Sequence, residues 1–166
     1  ELHGQTFHCW KEKGHGYVKL NNAMKQSCDT YFYEVARLLG VDRLKITADK
    51  FGLGKKVLGD YFENEKSGQF PNTSWKKNNL GKGWVLGETL ITGIGQGYTQ
   101  TTPIQLCLMT AHIANGGYKI KPKILTDENQ ITSEQVKKAM KENNINKSYQ
   151  PLFDNFKNIK IIQEAM

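Results

Sequence analysis

Apolar positions fall at helical spacing in several stretches of this chain. Tyr31, Phe32, Val35, Ala36, Leu38 and Leu39 form the strongest run, and Gly40 follows as a glycine stop. A shorter helical pattern precedes it, from Leu20 through Ala23 and Met24, interrupted at Ser27-Cys28-Asp29. At that break Ser27 or Asp29 can act as N-cap of the longer helix, which places their polar groups at its positive end. Beyond Gly40, Asp42 can cap a helix carrying Leu44, Ile46, Ala48 and Phe51, stopped by Gly52. From Gly54 to Gly83 the pattern fades into glycine, asparagine and proline, and predicts loop. Leu90-Ile91-Thr92 reads as a short strand-like stretch running into Gly93, Gly95 and Gly97. Thr102-Pro103-Ile104-Gln105 is a strong helix start, with Ile104, Cys107, Leu108, Ala111 and Ala114 on the expected inner face. Tyr118 to Ile124 alternates apolar residues with Lys119, Lys121 and Lys123, the pattern of an edge strand with Pro122 in it. A short helix starting at Thr132-Ser133-Glu134-Gln135 and a helical tail from Leu152 to Met166 complete the reading.

Length and apolar content suit one domain with one core. The net charge of +7 is uneven. Between Lys66 and Thr126, Lys66, Lys76, Lys77, Lys82, Lys119, Lys121 and Lys123 face Glu88 alone. Such an excess suits an anionic partner. The lysines are scattered over loops and one strand face, however, and no recognition module accompanies them, so no nucleic-acid partner is expected. No apolar run reaches membrane-spanning length, and no signal-peptide pattern opens the chain. Three cysteines are too few for a disulfide scaffold.

Several motifs invite chemistry. Gly93-x-Gly95-x-Gly97 looks like a phosphate loop, yet its spacing is not G-x-G-x-x-G, and tight backbone packing is the better account. Ser74-Trp75-Lys76-Lys77 fits S-x-x-K and Lys66-Ser67-Gly68 fits K-[ST]-G, which with Ser27-x-Asp29 nominally complete a serine acyl-transferase set. The first requires a helix to bring Ser and Lys to one face, and the second a strand. The surrounding residues predict neither, so both are read as chance matches.

The ordered series Gly14-His15-Gly16, Ser27-Cys28-Asp29-Thr30-Tyr31-Phe32-Tyr33 with Glu34-Val35-Ala36, Gly40-Val41-Asp42-Arg43-Leu44, Phe51-Gly52-Leu53-Gly54, Lys66-Ser67-Gly68 followed by Pro71, Gly93-Ile94-Gly95-Gln96-Gly97-Tyr98 and Thr102-Pro103-Ile104-Gln105 resembles elongation-type class B penicillin-binding proteins. The likeness runs from about Phe7 to Ile124 and resumes near Phe156. It implies an α+β fold, the penicillin-recognising serine transpeptidase (β-lactamase-like) fold, with residues 1–166 forming its mainly helical part and an edge strand. The activity it implies is D,D-transpeptidation, in which a serine acyl-enzyme cross-links peptidoglycan stem peptides ending in D-Ala-D-Ala and which β-lactams inhibit. Implied partners are membrane proteins of the elongation machinery. The implied location is the periplasmic face of the bacterial cytoplasmic membrane, with the anchor outside this chain. The family's S-x-x-K helix and K-T-G strand are not in the chain, so by itself it is expected to be inactive. The competing reading is a catalytically silent binding or scaffold module that contacts membrane partners.

By this resemblance Ser27 is the second-motif serine, relaying a proton between lysine base and leaving amine. Asp29 stands where many relatives have Asn. An ionised carboxylate accepts hydrogen bonds and donates none, so its role is to hold the S-x-x-K ammonium by charge. Cys9, His15 and Cys28 are ligand types that zinc takes, in an irregular C-x5-H-x12-C spacing. Two free or disulfide-paired thiols and a loop histidine are the alternative. Some relatives carry a zinc beside the active site on the Gly-His-Gly histidine and the S-C-D cysteine, so a structural zinc is expected here. His3, His8 or an upstream segment would complete the ligand set.

Overall fold

The computed structural model describes residues 4, 6–59, 62–122 and 150–166. The described elements are the helices α1 (Leu20–Lys25), α2 (Asp29–Leu39), α3 (Val41–Phe51), α4 (Thr73–Leu80), α5 (Leu86–Gly93), α6 (Pro103–Ala114) and α7 (Phe156–Ala165). Two isolated antiparallel bridges, Gln69 with Gln100 and Tyr118 with Pro151, tie loops together.

Alanines stand at several helix contacts in the core and let the helices approach closely. Ala23, Ala36 and Ala48 are buried on α1, α2 and α3, together with Val41, Leu53, Leu90, Leu108, Ile113, Ile159 and Ala165. The α2–α5 contact is the most extensive. A Cβ at Gly93 would overlap the Ala36 methyl and stand 3.2 Å from the Phe32 carbonyl oxygen, so only glycine lets these two helices meet. Helix α3 packs on α2, α5 and α6, while α7 closes against α1 and α6.

Four helices end in the same way. The backbone N–H pairs Gly52/Leu53, Gly95/Gln96 and Gly116/Gly117 close the ends of α3, α5 and α6 by bonding back to the carbonyls of Asp49/Ala48, Thr92/Ile91 and Ile113/His112. The same pair of bonds closes α1, from Ser27 to Met24 and from Cys28 to Ala23. In the first three the left-handed residue is Gly52, Gly95 or Gly116; in α1 it is Ser27, at φ +50°.

Several expectations change. Helix α4 forms inside the predicted loop, and α5 replaces the strand-like stretch. Polar contacts from distant residues build α4. Asn72 accepts from the Trp75 N–H at 2.8 Å, and Asp42 of α3 accepts from both the N–H and the hydroxyl of Thr73. Lys76 turns inward to Glu88 of α5 at 2.5 Å and lies near the Trp84 ring. Glu88 in turn accepts from the Val85 N–H at the start of α5. Helix α6 is rotated from its expected face: Gln105, Leu108, His112 and Ile113 are buried, and Cys107 is exposed. Gln105 is drawn in because its side chain is saturated. Its amide nitrogen donates to the Lys55 and Ser67 carbonyls, and its oxygen accepts from the Thr102 N–H. Burial holds His112 below its ordinary pKa, and its Nε2 accepts from the Ile120 N–H. Of the predicted edge strand, the Tyr118 bridge remains, while Lys123, Ile124 and the Thr132 helix lie outside the described residues. The tail is helical from Phe156, capped by Asn155.

Candidate active-site segment and metal cluster

Ser27 and Asp29 occupy the sharp junction between α1 and α2. Neither side chain caps α2; the N-cap is Cys28, which makes no side-chain cap bond. Burial works to raise the pKa of the Cys9 thiol, but hydrogen bonds from the backbone of Lys11, Asp29 and Thr30 outweigh it and hold the value below normal, against a smaller opposing push from the Asp29 charge. Asp29 and Thr30 open α2. In return Asp29 Oδ2 accepts the Trp10 backbone N–H at 2.9 Å. The Trp10 indole N–H donates to the Ser27 carbonyl at 2.8 Å and to the Gln26 carbonyl at 3.3 Å. Ser27 is exposed, and Asp29 is half-buried with Oδ1 unbonded among the described residues.

The expected metal residues converge. One ligand atom each from Cys9, His15 and Cys28 lie within 4.8 Å of one another, and Cys9 Sγ stands 3.4 Å from His15 Nδ1. Cys28 is buried, and all three cysteines are free thiols. Two thiols and an imidazole are ligand types zinc takes, and the Cys9–His15 separation falls within the about 3.3–3.8 Å between neighbouring ligand atoms of a tetrahedral zinc with bonds of about 2.0–2.3 Å. His8 is exposed and outside this group, and His3 lies outside the described residues.

The remaining motifs resolve differently. Ser74 and Lys77 do lie on a helix, contrary to expectation, but both are exposed and no hydrogen bond joins them; the inward lysine is Lys76. Lys66-Ser67-Gly68 forms neither a strand nor a helix; Gly68 takes φ +59° and leads into the Gln69–Gln100 bridge. Gly68 is required there because a Cβ would meet the Gln100 carbonyl and the Gln105 side chain. Gly93, Gly95 and Gly97 sit at and beyond the carbonyl end of α5, where no N–H groups converge on a phosphate. Gly93 serves close packing and Gly95 the helix stop, so the packing account stands.

Trp10 and the left-handed Ser27 were not foreseen. The sequence signal for Ser27 was a helix stop with no glycine in it. For Trp10 there was none, because its partners lie 16 to 19 residues away.

Comparison with known proteins places this geometry. Peptidoglycan D,D-transpeptidase MrdA of Acinetobacter baumannii is 40% identical over 119 residues, covering 72% of this chain and 18% of the relative. The Escherichia coli K12 protein of the same name is 40% identical over 116 residues, covering 70% and 18%. The chain thus spans about a fifth of the length of the curated relatives it matches. Pseudomonas aeruginosa penicillin-binding protein 2, solved in complex with WCK 5153, superposes over 99% of this chain and 35% of its own at a TM-score of 0.77 and 33% identity. Helicobacter pylori penicillin-binding protein 2, solved in complex with MreC, superposes over 100% and 28% at 0.81 and 28% identity. The fold is therefore the α+β penicillin-recognising fold, of which the described helices are the helical part. Residues 2–156 match the family described as penicillin binding protein transpeptidase domain, and the chain belongs to it.

Proposed function

We propose that this chain supplies the S-x-D segment of a peptidoglycan D,D-transpeptidase. In the reaction a serine hydroxyl attacks a D-Ala-D-Ala carbonyl, D-alanine leaves with a proton, and a stem-peptide amine then displaces the serine. The nucleophile and the K-T-G strand lie in other parts of the parent protein. Ser27 carries the proton between lysine base and leaving nitrogen, and Asp29 Oδ1 holds the lysine ammonium. The observation that supports this most directly is the placement of Ser27. It is the serine in a series of glycine helix stops, presented to solvent beside a carboxylate with one free oxygen.

Cys9, His15 and Cys28 would hold a structural zinc. Bound there, it cross-links the loop before α1 to the Ser27 junction and takes no part in acyl transfer. The parent would act at the periplasmic face of the inner membrane, bind β-lactams and work with membrane proteins of the elongation machinery. The complex of the Helicobacter pylori relative with MreC supports the last point. None of the described helices is long and apolar enough to cross a membrane.

The test is acylation of the full-length protein by a fluorescent penicillin. Ser27→Ala should slow it by about 10²- to 10⁴-fold, the usual worth of a positioned proton carrier. Labelling at the wild-type rate would overturn the assignment of Ser27, and no labelling of the wild type would favour a silent scaffold.

A further inference from the structure

A serine in the left-handed region is poorly held by its own backbone preferences, because its Cβ crowds the following carbonyl. Ser27 is the only described non-glycine residue at positive φ. The Ser27 and Cys28 N–H groups close the turn onto the Met24 and Ala23 carbonyls, and a further hold comes from 17 residues upstream. One residue, Trp10, binds three groups of the junction: the Gln26 carbonyl, the Ser27 carbonyl and the Asp29 carboxylate. Packing does not account for this placement, since the Trp10 side chain is 67% exposed. Its ring otherwise meets the His15 edge, with centroids 5.6 Å apart. An indole left largely in water but aimed by its N–H at two carbonyls is placed for that hydrogen bond.

We propose that Trp10 is the positioning residue of the S-x-D segment. Its indole N–H sets the plane of the Ser27 carbonyl and, through the backbone, the direction of Ser27 Oγ. Its backbone N–H occupies Asp29 Oδ2 and so turns Oδ1 outward. The inference rests on Ser27 being the proton carrier. A hydroxyl that must reach both a lysine and a leaving nitrogen works only within hydrogen-bond distance of each. A turn free to relax toward ordinary backbone angles presents that hydroxyl part of the time. Trp10 touches no substrate in this role and acts through Ser27 and Asp29.

The experiment uses the full-length protein and fluorescent penicillin, with the acylation rate constant, the dissociation constant of the preceding complex and the titre of active sites measured separately. Trp10→Phe keeps an aromatic ring and removes the donor. Replacing Trp10 by benzothienylalanine keeps the bicyclic shape with sulfur in place of N–H. Both should lower the acylation rate constant per active site by about tenfold or more, as misplacement of a catalytic group does. The dissociation constant should stay within about twofold, because ground-state binding is untouched. A lower titre with an unchanged rate per site would mean that Trp10 only supports the fold, and would overturn the proposal. A wild-type rate in the benzothienylalanine protein would do the same, whatever Trp10→Phe does to folding. So would a rate loss confined to protein that has also lost zinc by elemental analysis. Ser27→Ala is run alongside. If it keeps the wild-type rate, the reading of Ser27 fails. If it is slow while both Trp10 variants are normal, the role of Trp10 alone fails.

Discussion

Gly52, Gly95 and Gly116 each take a left-handed turn at a helix end, and Ser27 makes the same turn with a side chain attached. Left-handed backbone costs a non-glycine residue about 1–2 kcal/mol. Glycine there would recover much of that, less the extra freedom it gives the unfolded chain. Ser27→Gly is therefore expected to stabilise the protein by about 0.5–1 kcal/mol, which is about 1–4 °C in Tm for a domain of this size. It should also remove the relay and depress acylation as Ser27→Ala does. Calorimetry and penicillin labelling on one preparation check both, and a lower Tm for Ser27→Gly would refute the strain. The sequence singles out Ser27, but it points to the wrong conformation. Only Cys28 separates Ser27 from α2, so one serine meets the description of an N-cap for α2 and of a stop residue for α1. Local pattern cannot choose between them. The choice is made by the bonds back to Met24 and Ala23 and by the Trp10 indole.

Elements with an apolar stripe were legible: α2, α3 and α6 appear close to their expected bounds, although only α6 carries its expected side-chain cap, and Asp42 serves Thr73 instead of α3. Helices that depend on distant polar partners were not. Thr73–Leu80 has no stripe, and its start is satisfied by Asp42, 31 residues away, while Lys76 finds Glu88 across a loop. Leu90-Ile91-Thr92 has the β-branched look of a strand, yet Glu88 at its N-terminus and the close approach of α2 make it helical. That approach can be tested. Gly93→Ala pushes a methyl into Ala36 and should cost about 1–3 kcal/mol through overpacking. Helix α2 carries Asp29, so the displacement should slow acylation as well as lower Tm. Ala36→Gly in the same chain makes room for the new methyl. The double variant should then be more stable than the two single losses sum to, although Ala36→Gly alone costs about 1 kcal/mol in helix propensity. Strict additivity of the two losses would show that α2 and α5 do not meet as described.

At the scale of the whole chain, the family and the helical part of the fold were legible from ordered short motifs, since these mark places where only one residue type fits, such as Gly93 and Gly68. How the loop before α1 joins the body was legible only in its ligand types. That loop is fastened by Phe7 edge-on to Tyr33, by Trp10, and by the cluster of Cys9, His15 and Cys28. With zinc on the cluster, both thiols are thiolates bound to metal and unreactive, whereas Cys107 is exposed and free to react. In the full-length protein, elemental analysis should give about one zinc per chain. A thiol reagent should label Cys107 at once, and Cys9 and Cys28 only after a chelator, with Cys9→Ser and Cys28→Ser identifying the new signals. Stripping the metal should speed amide exchange in residues 9–16 and 27–30 before it touches α5 or α6, because none of the three cluster residues lies on either helix. Acylation should fall in step with that local loosening, and metal should also be lost as pH falls and the thiolates and imidazole take up protons. In air the stripped thiols, already close, should pair as a disulfide by losing two electrons to oxygen, so that zinc restores the protein only after reduction. Absence of zinc together with equal reactivity of Cys9 and Cys28 before and after the chelator would show that the three residues meet without holding a metal.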